Sequence, residues 1–346
     1  MAGMETLLKK LVDSPSISGS EENVRDLMKK ELRPYVDEIK IDKIGNLIAR
    51  KGKGDPKIVL AAHMDELGLM VKYIDDRGFL KFDTVGGWDE RILPAKKFIV
   101  HGSNGPVVGV IGSKPPHLQE RDEQKIPFKA KDLYLDVGAD GKKDISKIGI
   151  RVGDFITRDG KLDKMFGSRL TGYGFDNRIG CLVMIEVMKR LKNVKGTVYA
   201  IGTIQEELGL IGIRGSVYSI NPDVVLALDT TIAGDTPDIK PGESGIKLGA
   251  GPALAIKDAV TVVNPKVKKW IMDTAKKSKI KLQCEVMDGG ATDASIVPMI
   301  REGIPSGSVL VPTRYVHTPV EVADMKDIEA AVKLVVDAVK SVSKYL

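Results

Sequence analysis

Three apolar runs in this chain of 346 residues stop on residues that a core cannot hold without partners. Lys57-Ile-Val-Leu-Ala-Ala62 ends at His63-Met-Asp65, Val198-Tyr-Ala-Ile-Gly-Thr-Ile-Gln205 ends at Glu206-Glu207, and Asp223-Val-Val-Leu-Ala-Leu228 ends at Asp229. Short apolar runs bounded by polar and turn residues read as buried strands. A charged residue that closes such a run must find a partner or lie in a wet crevice. In open α/β sheets the ligand crevice lies outside the carboxyl ends of the strands, so three ends carrying His, Glu and Asp predict one shared site.

The rest of the chain divides around these strands. Residues 4–50 read as two helices and two strands, the second helix opening at a cap-like Ser20. Residues 69–167 change character, with short alternating runs such as Phe98-Ile-Val-His-Gly102 broken every few residues by Gly or Pro, the punctuation of a β-barrel or sandwich. From Asn177 onward helices and strands alternate again. The expectation is an α/β domain, residues 1–68 and 168–346, interrupted by an all-β barrel-like insertion.

Composition narrows the class. Hydrophobic residues make up 42% and charged residues 29%, the profile of a globular chain, and no stretch approaches a membrane span. The 53 basic and 47 acidic residues are interspersed, giving a net charge of +6 without the basic face expected of a nucleic-acid binder. The N-terminus lacks the apolar core and small-residue cleavage site of a secretory signal, so a cytoplasmic protein is expected. Cys181 and Cys284 match no metal or disulfide spacing.

Position singles out candidates among the polar residues. Of the histidines at 63, 101, 117 and 317, His63 ends a buried strand with Asp65 two residues on, where that carboxylate can orient the ring. His317, in Arg314-Tyr-Val-His317, follows the strand expected at 308–311, whereas His101 and His117 lie in the insertion. Asp176 precedes a long apolar helix, and because Asp is a preferred N-cap residue it reads as a cap as readily as a ligand. Glu206 and Glu207 are adjacent and must diverge, which suits one carboxylate on a metal and the other on protons. Asp136 to Gly141 lacks the ligands of a calcium loop, Gly245 to Gly251 lacks the residues of a phosphate loop, and there is no nucleophile elbow. The segment Gly289-Gly-Ala-Thr-Asp293-Ala-Ser295 reads either as a capped helix start or as amides open to a substrate carbonyl.

Taken in order over the whole chain, His63-x-Asp65, Phe175-Asp176-Asn-Arg178, Gln205-Glu206-Glu207-x-Gly209, Asp229 and Arg314-Tyr-x-His317 resemble the M42 family of metallo-aminopeptidases, most closely its tetrahedral archaeal members. The resemblance implies a mixed sheet with helices on both faces and a site for two divalent ions, zinc or cobalt. Asp176 would bridge the ions, His63 and Asp229 would complete one, Glu207 and His317 the other, Glu206 would be the general base, and Asp65 would orient His63. Asn177, where many relatives carry a second Asp, is a departure that touches no ligand. Two ions about 3.5 to 4 Å apart can hold a bridging hydroxide, polarise the scissile carbonyl and bind a free α-amine. The implied substrates are short peptides and the implied assembly is a homo-oligomer, a tetrahedral dodecamer. Ile232, three residues past Asp229, suggests an uncharged aliphatic N-terminal residue.

Three rival classes share some of these features. A deacylase of N-acyl amino acids would use the same metal chemistry. A glycoside hydrolase would use paired carboxylates, yet only 5% of the chain is aromatic and the histidines would be unexplained. A scaffold built on the β insertion would have no need of a metal.

Overall fold

The computed structural model describes residues 2–122, 125–240 and 242–345. The chain forms two compact units, one of Met1–Asp65, Lys161–Val316 and Val320–Leu346, the other of Glu66–Gly160 with His317–Pro319.

The first unit is built on an 11-stranded mixed sheet. At its centre Gly196–Thr203, Lys57–His63, Val224–Ile232 and Ser306–Arg314 run parallel, and antiparallel strands flank them. The apolar runs place a hydrophobic side chain on each face at every step. Ile58, Leu60 and Ala62 join Val224, Leu226 and Leu228 in one core with the helices Ala2–Val12, Glu22–Leu32, Phe175–Arg190, Pro265–Lys277 and Met325–Ser341. Val59, Ala61, Ile201 and Val225 form a second core with Ile213 and Val217 of the helix Ile211–Ile220. Helices therefore cover both faces, and the period-two alternation of a strand puts His63 and Asp229 on the same side of the sheet.

Two of the three strand ends differ from the pattern of the sequence. The strand expected to reach Gln205 stops at Thr203, because Ile204 donates its amide to the side chain of Asn46 and Gln205 turns into the left-handed region at φ 49°. The strand expected to stop at Asp229 continues to Ile232 on its pairing with Ser306–Arg314. Its pairing with the His63 strand ends at Ala227, so Asp229 borders a gap on that side even though it lies within a strand.

The second unit is a closed antiparallel barrel of six strands, Gly68–Ile74, Leu80–Val85, Lys96–Gly102, Gly105–Ile111, Leu135–Asp136 and Phe155–Arg158. Leu69, Val71, Leu80, Phe82, Phe98, Val100, Ile111 and Ile156 fill it. Closure leaves its pairing edges satisfied, which accounts for short strands separated by Gly and Pro turns.

Candidate metal centre

His63 closes its strand with a ring that is 2% exposed. Nδ1 lies 3.1 Å from the Asp65 backbone carbonyl and 3.5 Å from the Asp65 carboxylate, so the carbonyl is the partner at hydrogen-bond distance. A proton on Nδ1 leaves Nε2 as a lone-pair donor. Around Nε2 stand Asp176 Oδ1 at 3.0 Å, Asp229 Oδ1 at 3.7 Å and Glu206 Oε2 at 4.0 Å.

Asp65 is fully buried, and its carboxylate ties the His63 turn to the turn after the neighbouring strand Gly196–Thr203. The amide of Glu206 donates to Oδ1 at 3.1 Å, the amide of Glu207 to Oδ2 at 3.2 Å, and the Ser18 hydroxyl to Oδ2 at 2.6 Å. Burial pushes the Asp65 pKa up, but the His63 ring, Ser18 and the Glu206 amide outweigh it and hold the group below the ordinary aspartate range.

Asp176 is not the cap of its helix. Asp176 and Asn177 both have non-helical backbones at the start of Phe175–Arg190, so the regular helix begins after Asn177, and Asn177 supplies its capping bond. Its Oδ1 accepts the Gly180 amide at 2.8 Å while its Nδ2 donates to the Leu228 carbonyl at 2.9 Å. Gly180 allows that approach, since a Cβ there would stand 2.1 Å from the Leu228 oxygen. Arg178 is fully buried and donates to the carbonyls of Leu11, Met64 and Ser14 at 3.0, 2.6 and 3.1 Å, joining the first helix to the His63 turn.

The result is two sets of donor atoms, each within 4.8 Å of one another: His63 with Glu206 and Asp229, and His63 with Asp176 and Glu207. Five of the residues singled out above as ligands or base are thus brought together. His317 is in neither set; it groups with the barrel unit, at φ 62°, with Nδ1 3.0 Å from the Gly87 carbonyl.

Electrostatics bear on what these residues fit. Burial, opposed by His63 and reinforced by neighbouring carboxylates, pushes Glu206 well above its ordinary pKa and raises Asp229. Burial works against charge on His63, but Glu206, Asp229 and the hydrogen bond to Asp176 raise its pKa well above the usual imidazole value. Carboxylates so crowded repel one another unless a cation lies among them. A mixed set of imidazole and carboxylate donors is suited to a divalent transition metal, so the residues fit such an ion.

Asp293 has no counterpart among the candidates drawn from the sequence. Thr292 caps the short helical turn Asp293–Ser295, in line with the capped-helix reading of this segment. The Asp293 side chain is fully buried with Oδ2 2.5 Å from the Thr203 hydroxyl, and burial, with Asp229 and Asp65 nearby, lifts its pKa to about 7. The signal in the sequence is an Asp in a glycine-rich turn, which is equally the signal for a cap.

Comparison with known proteins identifies the family to which the chain is similar. Residues 45–334 match the family model for M42 glutamyl aminopeptidase. The lysyl aminopeptidase of Pyrococcus furiosus is 35% identical, over 95% of this chain and 94% of its own. A TET aminopeptidase from a marine sediment archaeon of the Thaumarchaeota superposes with TM-score 0.96 at 36% identity, covering 100% of this chain and 99% of its own. The TET1 peptidase of Pyrococcus horikoshii, described as assembling into a tetrahedron or a large octahedral shell, superposes with TM-score 0.89 at 33% identity, covering 97% and 99%.

Proposed function

The chain belongs to the M42 family of aminopeptidases, and from that premise we propose that it removes N-terminal residues from short peptides with two divalent ions, zinc or cobalt, and Glu206 as general base. The observation that carries this reading is the pair of donor sets meeting at His63. Asp176 shares a set with His63 and Glu207, and by the family resemblance Asp176 and His317 would both be among the residues that hold the ions.

Bound there, divalent ions supply Lewis acidity toward the scissile carbonyl and lower the pKa of water. The chain's own residues do the rest. Asp229, Asp176 and Glu207 give charged oxygens, and His63 gives Nε2 because the Asp65 carbonyl occupies Nδ1. Glu206, whose Oε2 lies 4.0 Å from His63 Nε2, would take a proton from the attacking water and return it to the leaving amine. Ile232, 46% exposed at the end of the Asp229 strand, favours an uncharged aliphatic side chain on the residue released.

The relatives' assemblies point to a homo-oligomer, and we propose the tetrahedral dodecamer. A closed shell accounts for a short-peptide substrate. Among the described residues no helix is long and apolar enough to cross a membrane, and a cytoplasmic location suits such a particle.

A panel of amino-acyl chromogenic substrates, assayed with and without chelator and with zinc or cobalt restored, tests the reading. Release from unblocked substrates, lost with chelator and highest for Leu, is the expected result. Release only from N-acylated substrates would assign the deacylase instead, and Glu or Asp substrates ranking above Leu would overturn the preference.

A further inference from the structure

Three consecutive amides leave the sheet after Thr203, and all three point at buried carboxylates. Gln205 donates to Glu21 Oε1 at 3.2 Å, Glu206 to Asp65 Oδ1 at 3.1 Å, and Glu207 to Asp65 Oδ2 at 3.2 Å. Gln205 is the residue at which the chain turns, and its φ of 49° lies where a side chain other than glycine is strained. The direction in which Glu206 and Glu207 project therefore depends on what holds these amides.

Asp65 was expected at the site from its place beside His63. Glu21 was not. It occupies the N-cap position of the helix Glu22–Leu32, yet its side chain makes no capping bond. The Oε1 atom instead accepts the Gly19 amide at 2.7 Å and the Gln205 amide across the fold, and the residue is 3% exposed. Ser18, in the same turn, grips the Asp65 carboxylate at 2.6 Å. Arg178 holds the preceding residues through the Leu11 and Ser14 carbonyls and the His63 turn through Met64. Burying a carboxylate costs free energy, visible in the Glu21 pKa, which burial lifts to about 7. A Ser or Asn would cap the helix without that cost.

We propose that Glu21, supported by Ser18, is a positioning residue for the metal centre: by holding the Gln205 amide it sets the turn from which Glu206 and Glu207 project. The inference rests on the reading of Glu207 as a ligand and Glu206 as the general base. Removing the grip loosens both carboxylates at once, so metal affinity and turnover fall together.

The experiment compares wild type, Glu21→Ala, Glu21→Gln, Ser18→Ala and Glu206→Gln. Chelator-stripped proteins are titrated with cobalt by equilibrium dialysis, and kcat and KM are measured on a leucyl chromogenic substrate at saturating cobalt. Partners one shell removed from a metal change affinity or activity by about 10- to 100-fold, and Glu21→Ala is expected to weaken one ion site on that scale, with kcat falling and KM within about 3-fold. Glu21→Gln keeps an acceptor oxygen and is expected to recover most of both. A Glu21→Ala protein with wild-type cobalt affinity and kcat, whatever its melting temperature, overturns the proposal. Should that variant fail to fold, Ser18→Ala decides: a smaller loss in both readouts supports the clamp, and wild-type values in both overturn it. The underlying reading fails separately, through an inactive wild type or a fully active Glu206→Gln, neither of which alters what the dialysis says of Glu21.

Discussion

Asn177 Oδ1 accepts the amide of Gly180 at 2.8 Å, and this contact decides what its neighbour Asp176 can do. Either residue can cap a helix. With Asn177 in the cap, the Asp176 carboxylate is left to face His63 Nε2 at 3.0 Å.

Gly180→Ala is expected to disturb this arrangement, because the new Cβ would stand 2.1 Å from the Leu228 oxygen and 2.2 Å from Asn177 Oδ1. Overpacking of this kind costs about 1–3 kcal/mol, and since the helix start carries Asp176, metal affinity should fall with stability. Denaturant unfolding and metal titration check both; a stable protein with unchanged metal affinity would contradict the account.

Glu206→Gln should keep its ions and fold while losing about 10² to 10⁴ in turnover, because an amide cannot accept the proton. Glu207→Gln should instead weaken one ion site, by about 10- to 100-fold if it matches other disturbances of metal shells. The substitutions are adjacent and isosteric, so general damage to the turn would affect both alike. Metal content measured beside peptidase rate separates them, and an ion lost from Glu206→Gln would reverse the assigned roles.

Arg314 and Asp235 form a two-pronged ion pair at 2.8 Å on each arm, just before the turn that carries His317. The hydrogen bonds from Arg314 hold the Asp235 pKa below its ordinary value despite burial. A depressed acid pKa stabilises the fold above the unfolded pKa and loses that contribution as pH falls through the folded one. Asp235→Asn should therefore melt below wild type at pH 7, with the gap closing below about pH 4, the ordinary aspartate range. Thermal melts across that range test it; a gap constant with pH would show that the pair's charge contributes nothing.

Light scattering should report a particle of many subunits at working concentration. A monomer would remove the dodecamer, and cleavage of folded proteins would argue against a closed shell.

Much of the fold was legible because its signals are local. Apolar runs ending on His63 and Glu206 marked central strands, and Gly and Pro turns marked the middle of the chain as the barrel that closes there. Alternation along two paired strands is enough to put His63 and Asp229 on one side of the sheet. The tertiary structure decided matters that turn on contacts between distant residues. Asp176 and Asn177 are equivalent as caps until Leu228, 51 residues beyond Asn177, offers its carbonyl to the Asn amide. Asp293 reaches Thr203 across 90 residues, and Glu21 reaches Gln205 across 184. A lone carboxylate near a helix start looks the same in sequence whether it caps that helix or grips another turn. Only folding fixes which amide it meets, because a hydrogen bond depends on distance in space and direction, while sequence records order alone.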